Sequence, residues 1–389
     1  MKTLLIAIAI ALLATGCEST KKTDGQKSSA VTSENWNSQM GQLESGLTDL
    51  LPYLVDPQQY NDPKNYKKIE SSVKRLADLS QKVEHSPSMV ARDPSVRFIS
   101  SAFSEDLKRA QDSLMAGRRE FARYSLMNVT AYCIECHTRS SSGPQFDSAE
   151  LTQTLGKLNH LERGEFLLAG RRYEAALSEF KKAIQQKLDR GQDFFGVDKA
   201  VRYALAVTVK VDKSPEKSLQ VIELIEKNSN TPFYLKQNVL GWKKALLEWK
   251  NEKPVKRDNP QQVLTLVKSL IRKADQASVG SFDKSGEIYY LRALSDLHLL
   301  MLTDLKQDSL GEVLYLTGLS YESVRDLSVW SLHENYYESC IRAVPQSKWA
   351  KLCYQKLEES VYFGYTGSSG VRVPMDVMVR LQELQKLAF

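Results

Sequence analysis

The chain has 389 residues, more than one hydrophobic core ordinarily serves, so two domains are expected. Apolar residues make up 42% and charged ones 26%, a globular balance that excludes wholesale disorder and a polytopic membrane protein. The net charge of +6 comes from 53 basic and 47 acidic residues with no basic run beyond three, so no nucleic-acid partner is expected.

Lys2 precedes an unbroken apolar run from Leu4 to Leu13, and Ala14, Thr15 and Gly16 lead into Cys17. The run is too short to span a bilayer and reads as a cleavable export signal over residues 1–16. Gly16-Cys17 resembles the lipobox of bacterial lipoproteins, although Ala14 stands where that family usually has Leu. The resemblance implies lipidation of Cys17 and a membrane anchor on the periplasmic side of the cell envelope. An ordinary signal with a chance cysteine is the alternative. Glu18 replaces the Asp that retains such lipoproteins in the inner membrane, which implies the outer membrane in a host that has two. Residues 17–34 hold almost nothing to bury and are expected to form a tether with a reach of roughly 20–25 Å.

Residues 35–139 divide into four amphipathic segments. Trp36, Met40, Leu43, Leu47, Leu50 and Leu54 recur in steps of four and three, as on one face of a helix. Ile69, Val73, Leu76 and Val83 follow Asp62-Pro63, a helix-start signal. Ile99, Phe103, Leu107, Ala110 and Leu114 lie between Pro94 and the helix-ending Gly117. Leu126, Val129, Cys133 and Cys136 form the fourth stripe, with His137 beside it. Short connections predict an up-down-up-down four-helix bundle, which puts Met40 and His137 at the same end.

Cys133-Ile-Glu-Cys136-His137 is the attachment signature of c-type haem: two thiols for the vinyl groups and an adjacent imidazole for the iron. At this chain's Cys and His frequencies, chance supplies on the order of 0.001 such motifs. A zinc site lacks a fourth soft ligand nearby, a thioredoxin-like pair lacks a strand context, and a disulfide across the motif is awkward within a helix. Met40-x-x-Leu43-x-x-x-Leu47 together with Ala131-Tyr132-Cys133-x-x-Cys136-His137-x-Arg139 resembles the cytochrome c′ superfamily, particularly its methionine-ligated members. The resemblance implies one covalent haem c with His137 and Met40 as iron ligands; Met40 could instead be plain core. Phe98 and Phe103 are candidate haem-edge packers or core, and Arg139 either pairs with a propionate or decorates the helix end.

After a polar linker near 139–152, residues 153–389 keep helical periodicity and become repetitive. Gly164, Leu167, Ala176, Phe180 and Ala183 resemble tetratricopeptide spacing, in which small residues admit close helix approach. Weaker units are expected at 197–228, with Ala206, Ser218, Ile222 and Ile225, and at 233–250 paired with 260–275. A fourth is marked by Gly318, Tyr321, Tyr337, Cys340 and Pro345, its inter-helix stretch about three residues longer. A generic α-solenoid fits these weaker units equally; either array would bind a protein segment on its concave face or act as a rigid spacer. Cys340 and Cys353 remain unassigned and are expected to form a disulfide in an oxidising compartment, two buried free thiols being the alternative. His298 lies in an apolar helix and reads as a core residue, while His85, His160 and His333 lack metal-ligand spacing. Gly364–Gly370 reads as a surface loop.

The expectation is an all-α protein, not an enzyme, that transfers electrons with a redox partner protein while its repeats dock a second protein. The alternatives are a haem that binds nitric oxide or carbon monoxide as a sensor, and an envelope scaffold with a structural haem.

Overall fold

Several helices in this chain start where a short polar side chain caps the first turn, often just before a proline. The computed structural model describes residues 33–84, 93–139, 143–146, 149–278, 283–324, 329, 331–368 and 370–389. The expected export signal, Cys17, the expected tether up to residue 32, His85 and the side chain of Trp36 lie outside the described residues. The first helix is Ser33–Leu54 (α1). Asp56 accepts from the Gln58 and Gln59 N–H groups and caps Pro57–Asn61 (α2). Asp62 caps a 3₁₀ turn, Pro63–Asn65, that runs into Tyr66–Glu84 (α3). Asp93 caps Pro94–Met115 (α4), and Gly117, at φ 75°, turns the chain out of it.

The fourth predicted segment is two helices, Arg119–Asn128 (α5) and Thr130–His137 (α6), which meet at Val129. Asn128, Val129 and Thr130 are three poor helix formers in succession, which explains the break. The predicted seams are buried: Met40, Leu43, Leu50, Leu54, Ile69, Val73, Leu76, Phe103, Leu107, Leu114 and Leu126 share one apolar core. α1 packs on α3, α3 on α4, α4 on α5, and α5 returns to α1.

Beyond them come Ala149–Leu155 (α7), His160–Ala169 (α8), Tyr173–Arg190 (α9), Phe194–Leu205 (α10), Pro215–Lys227 (α11) and Phe233–Asn251 (α12). Pro260–Ala277 (α13), Glu287–Met301 (α14), Gln307–Ser323 (α15), Leu332–Ala343 (α16), Lys348–Gly364 (α17) and Met375–Ala388 (α18) complete the series. Asn159 and Glu162 form a capping box at the start of α8. Successive helices pack on one another: α8 on α9, α9 on α10, α11 on α12, α13 on α14, α15 on α16 and α16 on α17. Among the described residues the fold is all-α except for Thr366–Gly367, which pairs antiparallel with Gly370–Val371. The stretch expected to be a plain loop thus contains a small exposed hairpin. No described helix is long and apolar enough to cross a membrane.

Two glycines make close helix contact. A Cβ on Gly164 would lie 2.5 Å from the Phe180 ring, and one on Gly318 would run into the Tyr337 ring. These are the small and large positions that the repeat spacing singled out. The unit expected at 197–228 contains a π-helical turn, Ala206–Val211, between α10 and α11. The pairing of 233–250 with 260–275 differs: α12 packs on α11 and α14, and α13 on α14 and α15. The reason is local. Gly241 sits against Ser285, and the Trp242 Nε1–H donates to the Lys284 carbonyl at 2.7 Å, which fastens α12 to the start of α14.

Val31–Phe389 is one compact unit by its contacts. Its larger core joins Leu51, Ile99 and Ile134 to Leu168, Phe180, Trp242 and Tyr336. α6 packs on α8, and α4 packs on α16.

Gly164→Ala is expected to destabilise the protein. Overpacking costs about 1–3 kcal/mol against about 1 kcal/mol gained from helix propensity, so the urea midpoint should fall. Cys340 and Cys353 are bonded to each other, with Cα atoms 6.3 Å apart and 13 residues of separation. A Cys340→Ala, Cys353→Ala double variant should lose about 2–3 kcal/mol of unfolding free energy, read from urea melts against wild type.

Candidate cofactor site

Cys133 and Cys136, three residues apart, fall on one side of α6, and His137 follows at its last turn. That side faces a cavity of about 330 Å³. Met40 and Leu43 of α1, Val83 of α3 and Phe103 of α4 supply much of its apolar wall. Arg171, His298 and Leu302 come to it from the later helices and their connections. Met40, Cys133, Cys136 and His137 therefore line one cavity. Phe103 is part of that wall, whereas Phe98 packs on the larger core. Cys340 and Cys353 are bonded to each other, and Cys17 lies outside the described residues.

Both motif cysteines are free thiols. Burial pushes the Cys133 thiol up to about 12 and the Cys136 thiol to about 11. The imidazole of His137 is held from outside its own helix. Its Nδ1 lies 2.5 Å from the Ala169 carbonyl at the end of α8. A carbonyl only accepts, so Nδ1 carries the hydrogen and Nε2 keeps the lone pair that a metal ligand needs. Burial, then the Arg171 charge, lowers His137 to about 4 against the Ala169 bond, so the ring is neutral at pH 7. The Tyr173 hydroxyl donates to the His137 carbonyl at 2.8 Å, and Phe146 meets the His137 ring edge-on at 6.1 Å. Arg171 sits at φ 61°, with its guanidinium against Gly143.

Arg139 does not merely decorate the helix end: it lines the cavity while its guanidinium is held from behind by buried acceptors. It is buried: Nη1 donates to Asp93 Oδ2 and to Ser95 Oγ, each at 2.6 Å, and Nη2 reaches Glu135 Oε1 at 3.4 Å. Glu135 is one of the two residues between the motif cysteines, and its Oε1 also accepts from the Tyr321 hydroxyl at 2.5 Å. His298 Nε2 lies 2.8 Å from that hydroxyl, and Nδ1 lies 3.3 Å from Asp93 Oδ2. Ser95 and Tyr336 share a hydrogen bond of 2.7 Å, and Lys210, on the π turn, donates to Thr138 at 3.2 Å. Burial alone would raise the Asp93 carboxyl, but the Arg139 guanidinium beside it holds it well below the usual carboxylate range. His298 is thus a core residue that also forms part of the cavity wall.

Four of these groups carried no sequence signal: the Ala169 carbonyl, Arg171, Asp93 and Glu135. A backbone carbonyl has no side-chain identity, and the charged residues resemble any others until the fold buries them. Among the described residues no cluster of three or more His, Cys, Asp or Glu side chains is placed to hold a metal ion. The thiols of Cys133 and Cys136 with the His137 Nε2 are the groups a covalently attached haem would use, and the apolar wall suits its ring.

His298 makes the pH dependence testable. With the Tyr321 proton on Glu135, the ring hydrogen is on Nε2. Burial, then Arg139, lowers His298 to about 4, and Asp93 only partly opposes this. The unfolded chain protonates at about 6.5 and the folded one only near 4. The stabilisation is therefore complete above about 6.5 and lost as pH falls towards 4, for a total of about 3 kcal/mol. Urea melts at pH 7.5, 5.5 and 4.5 should show the loss in wild type and a flatter profile in His298→Gln.

The chain matches no family model, no curated protein and no solved structure at a significant level.

Proposed function

We propose that this chain is a monohaem c-type cytochrome of the cell envelope, lipid-anchored through Cys17, that transfers electrons to or from a protein partner. In this reading residues 35–139 are a four-helix haem bundle similar to the cytochrome c′ superfamily, and residues 153–389 are a tetratricopeptide-like array that docks a protein. The observation that carries it is the cavity on which Met40, Cys133, Cys136 and His137 converge, with His137 already in the ligand tautomer. Haem c bound there supplies a one-electron iron couple. Cys133 and Cys136 would each form one thioether bond to it. His137 through its Nε2 and Met40 through its sulfur would be the residues to hold the iron. The hydrogen bond to Ala169 keeps the imidazole from rotating and raises its basicity. Leu43, Val83 and Phe103 keep water from that space, and Met40, itself buried, offers a soft donor that favours the reduced metal.

Two measurements test the reading. Haem should remain on the protein after acid-acetone extraction; its complete release would reject covalent attachment. The ferric protein should be low-spin, and Met40→Ala should turn it high-spin, lower its midpoint potential and admit carbon monoxide quickly to the reduced form. A wild type that is already high-spin and avid for carbon monoxide would make the protein a gas binder instead.

A further inference from the structure

We propose that the outward face of α12 is a docking surface for an anionic lipid bilayer. The helix buries Leu235, Val239, Trp242, Ala245 and Leu246 on its inner side. On its outer side Phe233, Leu240 and Leu247 are 76%, 60% and 45% exposed. They are spaced by seven residues, so they form one row that drifts only about 20° per step. Lys236, Lys243 and Lys250 repeat the same interval three residues further on, which makes a second row parallel to the first. Lys244 flanks the apolar row from the other side. Residues 233–256 carry six lysines against two glutamates. Glu248 lies away from the lysine row, where it accepts from the Tyr289 hydroxyl and from Lys273.

The apolar face continues past the helix start. Tyr234 is 48% exposed, and its hydroxyl feels Asp198 and Arg202 of α10. Phe195, one turn before Asp198, is 81% exposed. Bulky apolar side chains bordered by lysines, on a helix whose other side is held by the protein, match an interfacial element: the rings and leucines enter the headgroup boundary while the ammonium groups meet lipid phosphates. Lys243 also pairs with Glu226 at 2.9 Å, so its charge is shared. A second copy fits poorly. A coiled-coil seam needs two apolar positions per heptad, this face has one, and two such faces would bring lysine against lysine. The proposal depends on neither the haem nor the acyl chain.

The test uses the chain from Glu18 onward, which keeps the compact unit Val31–Phe389 whole and removes both the apolar leader and Cys17. It should sediment with phosphatidylglycerol-containing vesicles and not with phosphatidylcholine alone. Phe233→Ser, Leu240→Ser, Leu247→Ser together should weaken partitioning about tenfold or more, as should Lys236→Glu, Lys243→Glu, Lys250→Glu. The serine variant alters exposed positions, so its urea midpoint should stay near wild type, whereas the glutamate variant also gives up the Lys243–Glu226 pair and is compared at matched folded fraction. Met375→Ser, at another exposed apolar site, should bind as wild type does. Failure of the wild type to bind, equal binding by the serine variant, or a concentration-dependent dimer that the serine variant abolishes would each overturn the proposal.

Discussion

A guanidinium buried at the end of a haem-attachment-type motif governs how this molecule is put together. Arg139 cannot lose its charge, and removing it from water is costly unless acceptors surround it. The chain meets that demand with groups that are far apart in sequence. Asp93 and Ser95 come from the start of one helix, Glu135 from the motif itself, and Tyr336 and His298 close the shell through Ser95 and Asp93. Satisfying one cation therefore pins residues near 93, 135, 298 and 336 to one place. The same packing brings the Ala169 carbonyl to His137. A buried network of this kind tolerates few alternative arrangements, since each unmet group would leave an uncompensated charge or dipole inside.

Much of the fold could be read beforehand because it is local. Met40 to Leu54, Ile69 to Val83 and Ile99 to Leu114 announce their buried faces by spacing alone, and Asp62-Pro63 and Pro94 announce where helices start. Gly164 and Phe180 could be matched because a missing side chain and a large ring at fixed spacing leave a recognisable pair. Long-range packing was not readable. Nothing around Gly241 or Trp242 says that Ser285 and Lys284 lie opposite, and the expected partner of α12 was therefore the next helix along. The motif residues were legible because their chemistry demands rare residue types together. Arg171 was not, since its position depends on a left-handed backbone at a residue with no special preference for it.

The two halves of the sequence also differ in what makes their packing specific. Around Leu50, Val73 and Leu107 the core is aliphatic and the fit is mainly a matter of volume. Around Tyr321, Tyr336 and Tyr337 the rings carry hydroxyl groups that must find acceptors, so orientation is fixed as well as volume. Tyr321 and Tyr336 stack at 5.4 Å with their planes 9° apart. The later helices thus contribute the directional part of the structure.

The wall of the cavity has a bearing on how the protein matures. Residues 40–137 leave the synthesising or exporting machinery before Ala169, Arg171 and His298 do, and for that interval Cys133 and Cys136 have no lid over them. On the proposed reading, thioether formation belongs to this interval, while the thiols can still be reached. Completion of the later helices would then orient His137 and enclose the attached group. The order in which the chain emerges would then act as the clock of assembly.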